Sequence, residues 1–361
     1  MPLVATILPP REGFGNGRAG AIGMIVRRLA QTPGYQTVVL GGRQDGPTFP
    51  DIDFRPVAPT LWRIGSTNLR YAAAVADTLR KLKPDLIEVH NRPEIALAIT
   101  DRLPSVPVTG FLHNDPIGMR EATSVPERTN LLKRLACIVT PSAFLRDRLL
   151  SDIADPPKSP VIIPNCIDLS EFPPPRRKER LLLFVGRVVP DKAPDVFISG
   201  FAAASPHIPD WIAQMIGADR FSESSPETPF FKTMQASAEG AGVRMLGFRQ
   251  HHDVLAAMNR AAVVVMPSRW EEPFGLVALE AMASGAALIC SSRGALREVA
   301  DDTALFIDPD SVPSVASAIR LLCSNEVRRA TLAEAGRKRA MLFDVGHVTG
   351  QLAALRASIL G

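Results

Sequence analysis

The sequence has few cysteines, and their spacing suggests neither a bond nor a metal site. Only four occur among 361 residues, at Cys137, Cys166, Cys290 and Cys323, with no C-x-x-C pair. This spacing supports neither a disulfide framework nor a structural zinc site. Each cysteine lies in or beside an apolar run, so we interpret all four as small buried hydrophobes. Such usage fits a reducing compartment, and we expect a cytoplasmic protein.

A long apolar run and an excess of one charge are also missing. No uncharged apolar stretch approaches about 18 residues, the length that suggests a membrane span, and the run Leu3 to Leu8 stops at two prolines. We therefore expect neither a signal peptide nor a membrane anchor. Lys plus Arg number 41 and Asp plus Glu number 37, a net charge of +4. That balance argues against a nucleic-acid partner, which requires concentrated basic residues.

The length is sufficient for two domains. At about 150 residues per domain, 361 residues correspond to roughly 2.4 domains. Short β-branched runs alternate with amphipathic stretches, which predicts parallel sheets covered by helices. The strand candidates form two series, on either side of a proline-rich segment at 171–178 that we interpret as a linker. The first series is 3–8, 37–40, 86–90, 108–113, 138–140 and 161–163, and the second is 181–185, 212–216, 243–246, 263–266, 287–290 and 305–307.

Helical periodicity fills several of the gaps between strands. In the stretch Asn68 to Leu82, for example, apolar residues recur on one stripe. We predict an α/β fold with two doubly wound, Rossmann-like domains at 1–171 and 172–343. A helix at 344–361 is expected to pack back toward the first domain. Ligands should bind just after the strands, in a cleft between two facing domains.

A glycine-rich loop follows the first strand candidate. It contains a formal G-x-G-x-x-G at Gly15, Gly17 and Gly20. Such a loop brings backbone N–H groups and a helix N-terminus to a pyrophosphate. An NAD-dependent dehydrogenase is one alternative, but six residues separate strand from glycines and no carboxylate for a ribose follows the second strand. We favour a loop that touches another phosphate-bearing ligand, with a plain loop as the remaining interpretation.

The most specific pattern lies in the second half, between Pro267 and Gly285. It follows a buried strand, so its first part should be a loop beside a ligand. Pro273 and Gly275 fit a turn into a helix whose first N–H groups are free to bind. Glu272 lies in the loop and Glu280 lies eight residues later, inside the helix. Two carboxylates so placed can hold two different parts of one ligand.

This pattern resembles the retaining glycosyltransferases of family 4, because Glu272 and Glu280 match that family's E-x7-E motif. The likeness extends to bacterial enzymes of lipopolysaccharide and exopolysaccharide synthesis, and it implies the GT-B architecture of two facing Rossmann-like domains. It is dense from about 137 to 310 and sparse before that. Further segments that agree in order are 141–144, 163–168, 184–192, 246–248 and 294–298.

The resemblance implies a role for each matching residue. Arg187 and Lys192 bind the donor diphosphate, a suitable task for cations beside an anion that must leave. Glu272 contacts the transferred sugar, and Glu280 accepts hydrogen bonds from the ribose. His113 lies near the donor sugar, with a capping or core histidine as the alternative. The other implied donor contacts are Gly15, Gly17, Gly247 and the backbone N–H groups of Phe274, Gly275 and Leu276.

Candidates for the acceptor lie after an earlier strand, at His90, Asn91 and Arg92. For His90, packing is an equal alternative to acceptor contact. The pair His251 and His252 is expected to begin a helix. These assignments come from position after a strand, which is where ligands of open α/β sheets bind.

The sequence departs from the family pattern in three places. Ala193 stands where glycine usually follows the phosphate-binding lysine, Cys166 replaces a glycine, and Arg297 replaces a proline. None of these changes removes a charged ligand contact. The D-x-D imitation at Asp51 to Asp53 precedes a strand of the first domain, and we expect no metal there.

We therefore expect transfer of a hexosyl unit from a nucleotide diphosphate sugar to an acceptor hydroxyl, with the anomeric configuration retained. No cofactor is expected. UDP-sugars are the favoured donors and GDP-mannose the second, and the acceptor is a glycan or a lipid-linked sugar. A non-catalytic nucleotide-sugar-binding protein is an alternative. Peripheral contact with the inner membrane surface is a further one, through basic residues at Arg63, Arg70, Arg80, Lys81 and Lys83.

Overall fold

The computed structural model describes residues 1–59, 66–219 and 227–361. Within these ranges the chain divides into two compact units. One consists of Met1–Cys166 together with Val345–Gly361, and the other of Ile167–Asp344. Each unit contains one parallel sheet. The predicted α/β class with two Rossmann-like sheets is confirmed.

The first sheet lies in the first unit. Its strands are β1 Leu3–Ile7, β2 Gln36–Gly41, β3 Asp53–Pro56, β4 Leu86–His90, β5 Val108–Phe111, β6 Cys137–Thr140 and β7 Val161–Ile162. Between them lie α1 Ala21–Leu29, α2 Thr67–Leu82, α3 Pro93–Arg102, α4 Val125–Arg134 and α5 Ala143–Leu150. The strand order is β3-β2-β1-β4-β5-β6-β7. The winding therefore reverses between β1 and β4.

The second sheet has the same plan in the second unit. Its strands are β8 Glu179–Val185, β9 Ile212–Ile216, β10 Val243–Met245, β11 Ala261–Met266, β12 Ala287–Ser291 and β13 Ala304–Ile307. The helices are α6 Pro194–Ala204, α7 Pro229–Gly240, α8 His251–Arg260, α9 Leu276–Ala283, α10 Leu296–Ala300, α11 Val312–Ser324 and α12 Glu326–Ala340. The order is β10-β9-β8-β11-β12-β13, so here the winding reverses between β8 and β11.

Alternation along the central strands explains why helices cover both faces of a sheet. In β11, Val263 and Val265 belong to one core cluster, whereas Val264 and Met266 belong to another. All four are buried. Successive side chains of a strand point to opposite faces, so a continuous apolar run needs a helix layer on each side.

Helix α2 illustrates how local sequence sets the ends of an element. The Ser66 side chain accepts the N–H of Leu69 and caps the start. Lys83 ends the helix in a left-handed conformation, with φ +51°, and Pro84 follows. Of the basic residues in the membrane-contact alternative, Arg70, Arg80 and Lys81 lie in this helix and Lys83 at its end, while Arg63 lies outside the described residues.

The final helix, α13 Val345–Leu360, belongs to the first unit. Its Arg356 forms a bidentate ion pair with Glu88 of β4, with both N···O distances at 2.8 Å. The two side chains are 1% and 2% exposed. A buried pair of this kind fixes the helix against the sheet, because either charge alone would be costly.

The proline-rich segment packs within the second unit. Phe172 lies against that unit's core, and the carbonyl of Pro174 accepts a hydrogen bond of 2.9 Å from Asn259 Nδ2. The division between units falls at Cys166 and Ile167, a few residues before this segment. Prolines remove backbone donors, so the segment has no strand partner and is held by side chains.

Candidate active site

In the second unit the candidate residues gather at the carboxyl edge of the sheet. Strands β8 and β11 are neighbours at the point where the winding reverses. The loop 186–193 follows β8, and the loop 267–275 follows β11. Open α/β sheets bind ligands at such a switch point, since the loops diverge there and leave a crevice.

These two loops are tied together by the main-chain carbonyl of Asp191. It accepts hydrogen bonds from the N–H groups of Arg269 at 2.8 Å and Trp270 at 3.0 Å, and from Ser268 Oγ at 3.3 Å. Arg269 also forms a bidentate pair with Asp195, with both distances at 2.9 Å. Bidentate pairs of this kind are geometrically specific. The loops therefore have a fixed relative position.

Lys192 and Glu272 meet at this junction. Lys192 Nζ pairs with Glu272 Oε1, which also accepts a hydrogen bond of 2.7 Å from Ser268 Oγ. Glu272 is 6% exposed, so its charge is largely shielded from water. The sequence assigned these two residues to different parts of a donor, and the structure brings them into contact. Ser268 was missed, although its place directly after a buried strand is a usable signal.

The loop then enters helix α9 through Gly275. This glycine has φ +102°, and a Cβ there would lie 2.5 Å from Leu296 Cδ2. The N–H groups of Phe274, Gly275 and Leu276 donate to no acceptor within the described part of the chain. They form the partly positive end of a helix, which suits an oxygen of a sugar or phosphate. The Phe274 ring itself packs edge-on against Phe343, at 5.7 Å between centroids.

Glu280 lies further along α9 and is 8% exposed. Its Oε1 lies 2.8 Å from Nε2 of His251, the first residue of α8. The prediction that His251 begins a helix is therefore confirmed, but its contact with Glu280 was not foreseen. The contact fixes one carboxylate oxygen.

The remaining donor candidates of this unit lie in nearby loops. Arg187 is exposed in the loop after β8. Gly247 has φ +69°, and its carbonyl accepts the N–H of Gly217 at 2.9 Å. Ala193, which stands where the family has glycine, has φ +51° and is fully buried. The left-handed conformation is thus kept by an alanine, at a cost of about 1 kcal/mol.

The loop after β12 supports Glu272 from the other side. The carbonyl of Glu272 accepts the N–H of Ala295 at 2.8 Å. Gly294 has φ +60°, and a Cβ there would lie 2.3 Å from that same carbonyl oxygen. Arg297, the departure from the family's proline, places its guanidinium 4.2 Å from the centre of the Phe306 ring. The arginine therefore has a cation–π partner.

In the first unit, the glycine loop is held by its own contacts. A Cβ on Gly15 would lie 2.4 Å from the carbonyl oxygen of Pro47, and Gly17 is exposed with φ +71°. The Glu12 carboxylate accepts the N–H of Gly23 at 2.9 Å, inside the first turn of α1. Burial raises the pKa of Glu12, although that hydrogen bond acts in the opposite direction. A carboxylate at this helix start disfavours the dinucleotide alternative, which needs the same N–H groups for a pyrophosphate.

His90 and His113 form a pair at the ends of β4 and β5. His90 Nδ1 lies 2.9 Å from His113 Nε2, and the His90 ring stacks on Phe111 at 4.5 Å. His90 is 1% exposed. Burial lowers the pKa of His113 to about 4, against a hydrogen bond to Asn165, and lowers that of His90 well below its usual range. Both rings are therefore neutral near pH 7.

Asn91 supports this arrangement from a left-handed conformation, with φ +54°. Its Oδ1 accepts the N–H groups of His113 at 3.1 Å and Asn114 at 3.2 Å. Arg92 follows at the N-cap position of α3, and its NH1 donates to the carbonyl of Asn91 at 2.7 Å. Asn91 thus orients the backbone of His113, a role that the sequence did not indicate.

Both aspartates of the D-x-D-like segment form ion pairs with arginines. Asp51 pairs with Arg27 at 3.1 Å, and Asp53 pairs with Arg55 at 2.9 Å.

Cys166, Cys290 and Cys323 are buried and Cys137 is partly exposed, and all four are free thiols. Across the described ranges, no helix combines the length and the apolar composition needed to cross a bilayer.

Two family models match successive parts of the chain. Residues 21–171 match the model described as Glycosyltransferase Family 4, and residues 168–339 match the model described as Glycosyl transferases group 1. A glycogen synthase of Mycobacterium tuberculosis is 27% identical over 282 residues, which cover 73% of this chain and 66% of that protein.

Solved structures agree on the fold. A sucrose-phosphate synthase from Thermosynechococcus elongatus superposes with a TM-score of 0.80 at 20% identity, covering 99% of each chain. Anabaena Alr3699/HepE, in complex with UDP and glucose, superposes with a TM-score of 0.78 at 18% identity, covering 99% of this chain and 100% of that one. Both likenesses concern the arrangement of the backbone.

Proposed function

We propose that the protein transfers a hexosyl unit from a nucleotide diphosphate sugar to an acceptor hydroxyl. The basis is that the chain matches a glycosyltransferase family 4 model followed by a glycosyltransferase group 1 model. The anomeric configuration is retained, and the reaction uses neither a metal nor another cofactor. A UDP-sugar is the preferred donor and a GDP-sugar the second choice. The Anabaena relative of similar fold, with UDP and glucose bound, supports that order.

One observation carries the proposal: the cation of Lys192 contacts the buried carboxylate of Glu272, and the loop that contains Glu272 leads directly into the start of α9, whose first N–H groups have no acceptor among the described residues. A cation and a helix N-terminus suit a diphosphate, and a buried carboxylate suits sugar hydroxyls. Glu280, already oriented by His251, has a second oxygen to offer a ribose.

In the proposed reaction, the bond between the anomeric carbon and the diphosphate oxygen breaks as the acceptor oxygen attacks the same face. The acceptor proton passes to the departing phosphate oxygen, and the electron pair of the broken bond remains on the diphosphate. Arg187, Lys192 and the helix N-terminus stabilise that growing negative charge. The resemblance implies that His113 lies near the transferred sugar.

The first unit is proposed to bind the acceptor, a glycan or a lipid-linked sugar, with Asn91 and Arg92 as contacts. His90 acts there through His113, since its own ring is buried. Four free cysteines fit a reducing compartment, and we place the protein in the cytoplasm, working on cell-surface glycan or glycolipid precursors at the inner face of the membrane.

A panel of nucleotide sugars tests the proposal. Purified protein is incubated with UDP-, GDP- and ADP-sugars and, separately, with NADH. Thermal stabilisation is measured for every ligand and nucleotide release for every sugar. At a concentration 100 times its Kd, the true donor stabilises the fold by about 2.7 kcal/mol. Stabilisation by NADH instead would support the dehydrogenase. Stabilisation by a nucleotide sugar without nucleotide release, even after acceptors are added, would indicate a nucleotide-sugar-binding protein. Folded protein that is not stabilised by any nucleotide sugar and releases no nucleotide would contradict the proposal.

A further inference from the structure

A pocket of about 360 Å³ lies at the switch point of the first sheet, and nothing in the family assignment explains its chemistry. Strands β1 and β4 are neighbours there. Pro10 and Arg11 follow β1, Arg92 follows β4, and Arg120 comes from the segment after β5. The position is the one where an open α/β sheet binds its ligand.

The pocket is lined by three guanidinium groups and one carboxylate, an excess of two positive charges. Arg11 is exposed and has no ion pair among the described residues. Arg92 donates to the carbonyl of Asn91 at 2.7 Å, and its charge is attracted by the carboxylate of Glu12. Arg120 is 74% exposed and lies 3.9 Å from Glu94. Guanidinium groups that outnumber the carboxylates around them repel one another and favour a bound anion.

The single carboxylate is largely satisfied by its neighbours. Glu94 is 9% exposed and accepts hydrogen bonds from Ser66 Oγ at 2.9 Å and from Asn68 Nδ2 at 3.0 Å. Its charge is therefore turned toward the start of α2 and only weakly toward Arg120. It leaves Arg11 without a carboxylate partner among the described residues, whereas Arg92 is attracted by Glu12, which lies outside the pocket lining.

Two helices also begin at the pocket. Thr67 and Asn68 open the 16-residue α2, and Pro93 and Glu94 open the 10-residue α3. The first turn of α2 contains no acidic residue. Each helix start carries a partial positive charge of about half a unit, which adds to the field of the arginines. The amide of Asn91 also lines the pocket and can donate to a ligand, whereas that of Asn68 already donates to Glu94.

We propose that this pocket holds an oxyanion of the acceptor, so that the sugar to be glycosylated carries a phosphate monoester or a carboxylate. Describing that ligand as an acceptor rests on the proposed function, whereas the preference for an anion does not. Planar, forked guanidinium groups match the oxygens of either anion. The donor diphosphate has its own cations in the second unit, at Arg187 and Lys192.

Calorimetric titration tests the proposal with four probes: glucose 6-phosphate, glucuronate, inorganic phosphate and uncharged glucose. The wild type is compared with the double variant Arg11→Ala/Arg120→Ala, whose exposed positions tolerate truncation. Arg55→Ala is the matched control, an exposed arginine of the same unit that pairs with Asp53. We expect at least one charged sugar to bind tenfold tighter than glucose, and the double variant, but not the control, to lose that advantage.

The two charged sugars decide between a phosphate and a carboxylate, and inorganic phosphate should compete with whichever binds. Equal affinity for glucose and both charged sugars would overturn the proposal, as would a double variant that binds like the wild type. An equal loss of UDP affinity in that variant would also overturn it, because the arginines would then serve the donor. If the wild type binds no nucleotide sugar yet keeps its preference for an anion, the proposed function fails and this inference stands.

Discussion

At the scale of single residues, the contact between Lys192 and Glu272 is the most informative feature of the second unit. It joins residues 80 positions apart and shares a carboxylate oxygen with Ser268. In the proposed reaction, a cation held in this way is oriented before the diphosphate leaves, so no reorganisation is needed during the reaction. It also means that removal of Lys192 leaves a buried carboxylate with one hydroxyl partner.

Replacing Lys192 by alanine should lower the turnover number for sugar transfer by about 100-fold or more, because one preorganised group opposite the developing charge is lost. Initial rates of nucleotide release with a saturating donor measure this. Lys232→Ala is the control, an exposed lysine of α7 in the same unit, and should match the wild type. Unchanged turnover in Lys192→Ala would remove Lys192 from the mechanism.

The histidine pair predicts a pH dependence of stability. The unfolded chain binds protons at histidine below about pH 6.5, whereas burial lowers the pKa of folded His113 to about 4. The unfolded state therefore holds more protons between these values, and the free energy of unfolding falls as the pH falls. For His113 the loss amounts to about 3 kcal/mol across that window.

Urea unfolding at pH 7, 5.5 and 4 measures this loss. In His113→Gln the decline should be smaller, because position 113 no longer titrates. His252→Gln replaces a histidine whose side chain is 80% exposed, and its decline should equal that of the wild type. Identical slopes in all three proteins would show that His113 titrates normally in the folded state.

Individual contacts were the least predictable part of the site. The sequence placed Lys192 and Glu272 in loops after strands and Glu280 in the following helix, but spacing alone does not reveal that His251 contacts Glu280 across 29 positions. Glu12 was missed because it caps α1 from a preceding loop, outside the usual capping position. Such contacts depend on tertiary packing, and a single sequence carries no record of which loops meet.

At the scale of elements, local signals located every described strand except β3 and located the helices unevenly. Helix α2 was found within one residue, since its apolar stripe ends at a proline. Helix α3 was not identified, because residues from Pro93 to Ile99 are all buried and no polar face marks the period of a helix. The positions where the winding of each sheet reverses could not be predicted from these local signals, because the order of strands depends on how the whole sheet assembles.

Two glycines with left-handed φ give a prediction at this scale. Gly294 has φ +60° and no room for a Cβ beside Glu272, whereas Gly242 has φ +70° and open space around it. Gly242→Ala should cost about 1 kcal/mol of unfolding free energy, the price of the conformation alone. Gly294→Ala should cost about 1 to 3 kcal/mol more, because the backbone of Glu272 must move.

Urea unfolding gives the two stabilities, and the rate of sugar transfer gives the effect on the site. We expect transfer to fall only in Gly294→Ala, since the displaced residue is Glu272. Equal stability losses in both variants would mean that the loop after β12 yields without strain, and the support assigned to Gly294 would then be wrong.

At the scale of the whole molecule, Arg356 and Glu88 fix the last helix on the first sheet. Replacing Arg356 by methionine should lower the unfolding free energy of the first unit by about 3 to 5 kcal/mol, because the Glu88 carboxylate stays buried without its partner. Hydrogen exchange of β4 and α13 amides measures this loss within that unit. Adding Glu88→Gln to the same protein should restore part of it.

The control for this change is Arg55→Met, which breaks an ion pair whose side chains are 48% and 46% exposed. Exposed pairs contribute about 0 to 1 kcal/mol, so this variant should exchange almost as slowly as the wild type. If Arg356→Met were no more damaging than Arg55→Met, the final helix would be held by apolar packing alone.

The return of α13 to the first unit has a consequence for the order in which the protein matures on the ribosome. Glu88 and Arg356 are 268 residues apart, and a ribosome adding about 5 to 20 residues per second needs roughly 13 to 54 s to bridge them. During that interval the second unit can be synthesised completely. The first sheet still lacks α13, and Glu88 on its central strand β4 has no arginine partner. The unit that contains the first residue of the chain is thus the later of the two to mature, and a chaperone that binds the growing chain should recognise that uncovered sheet.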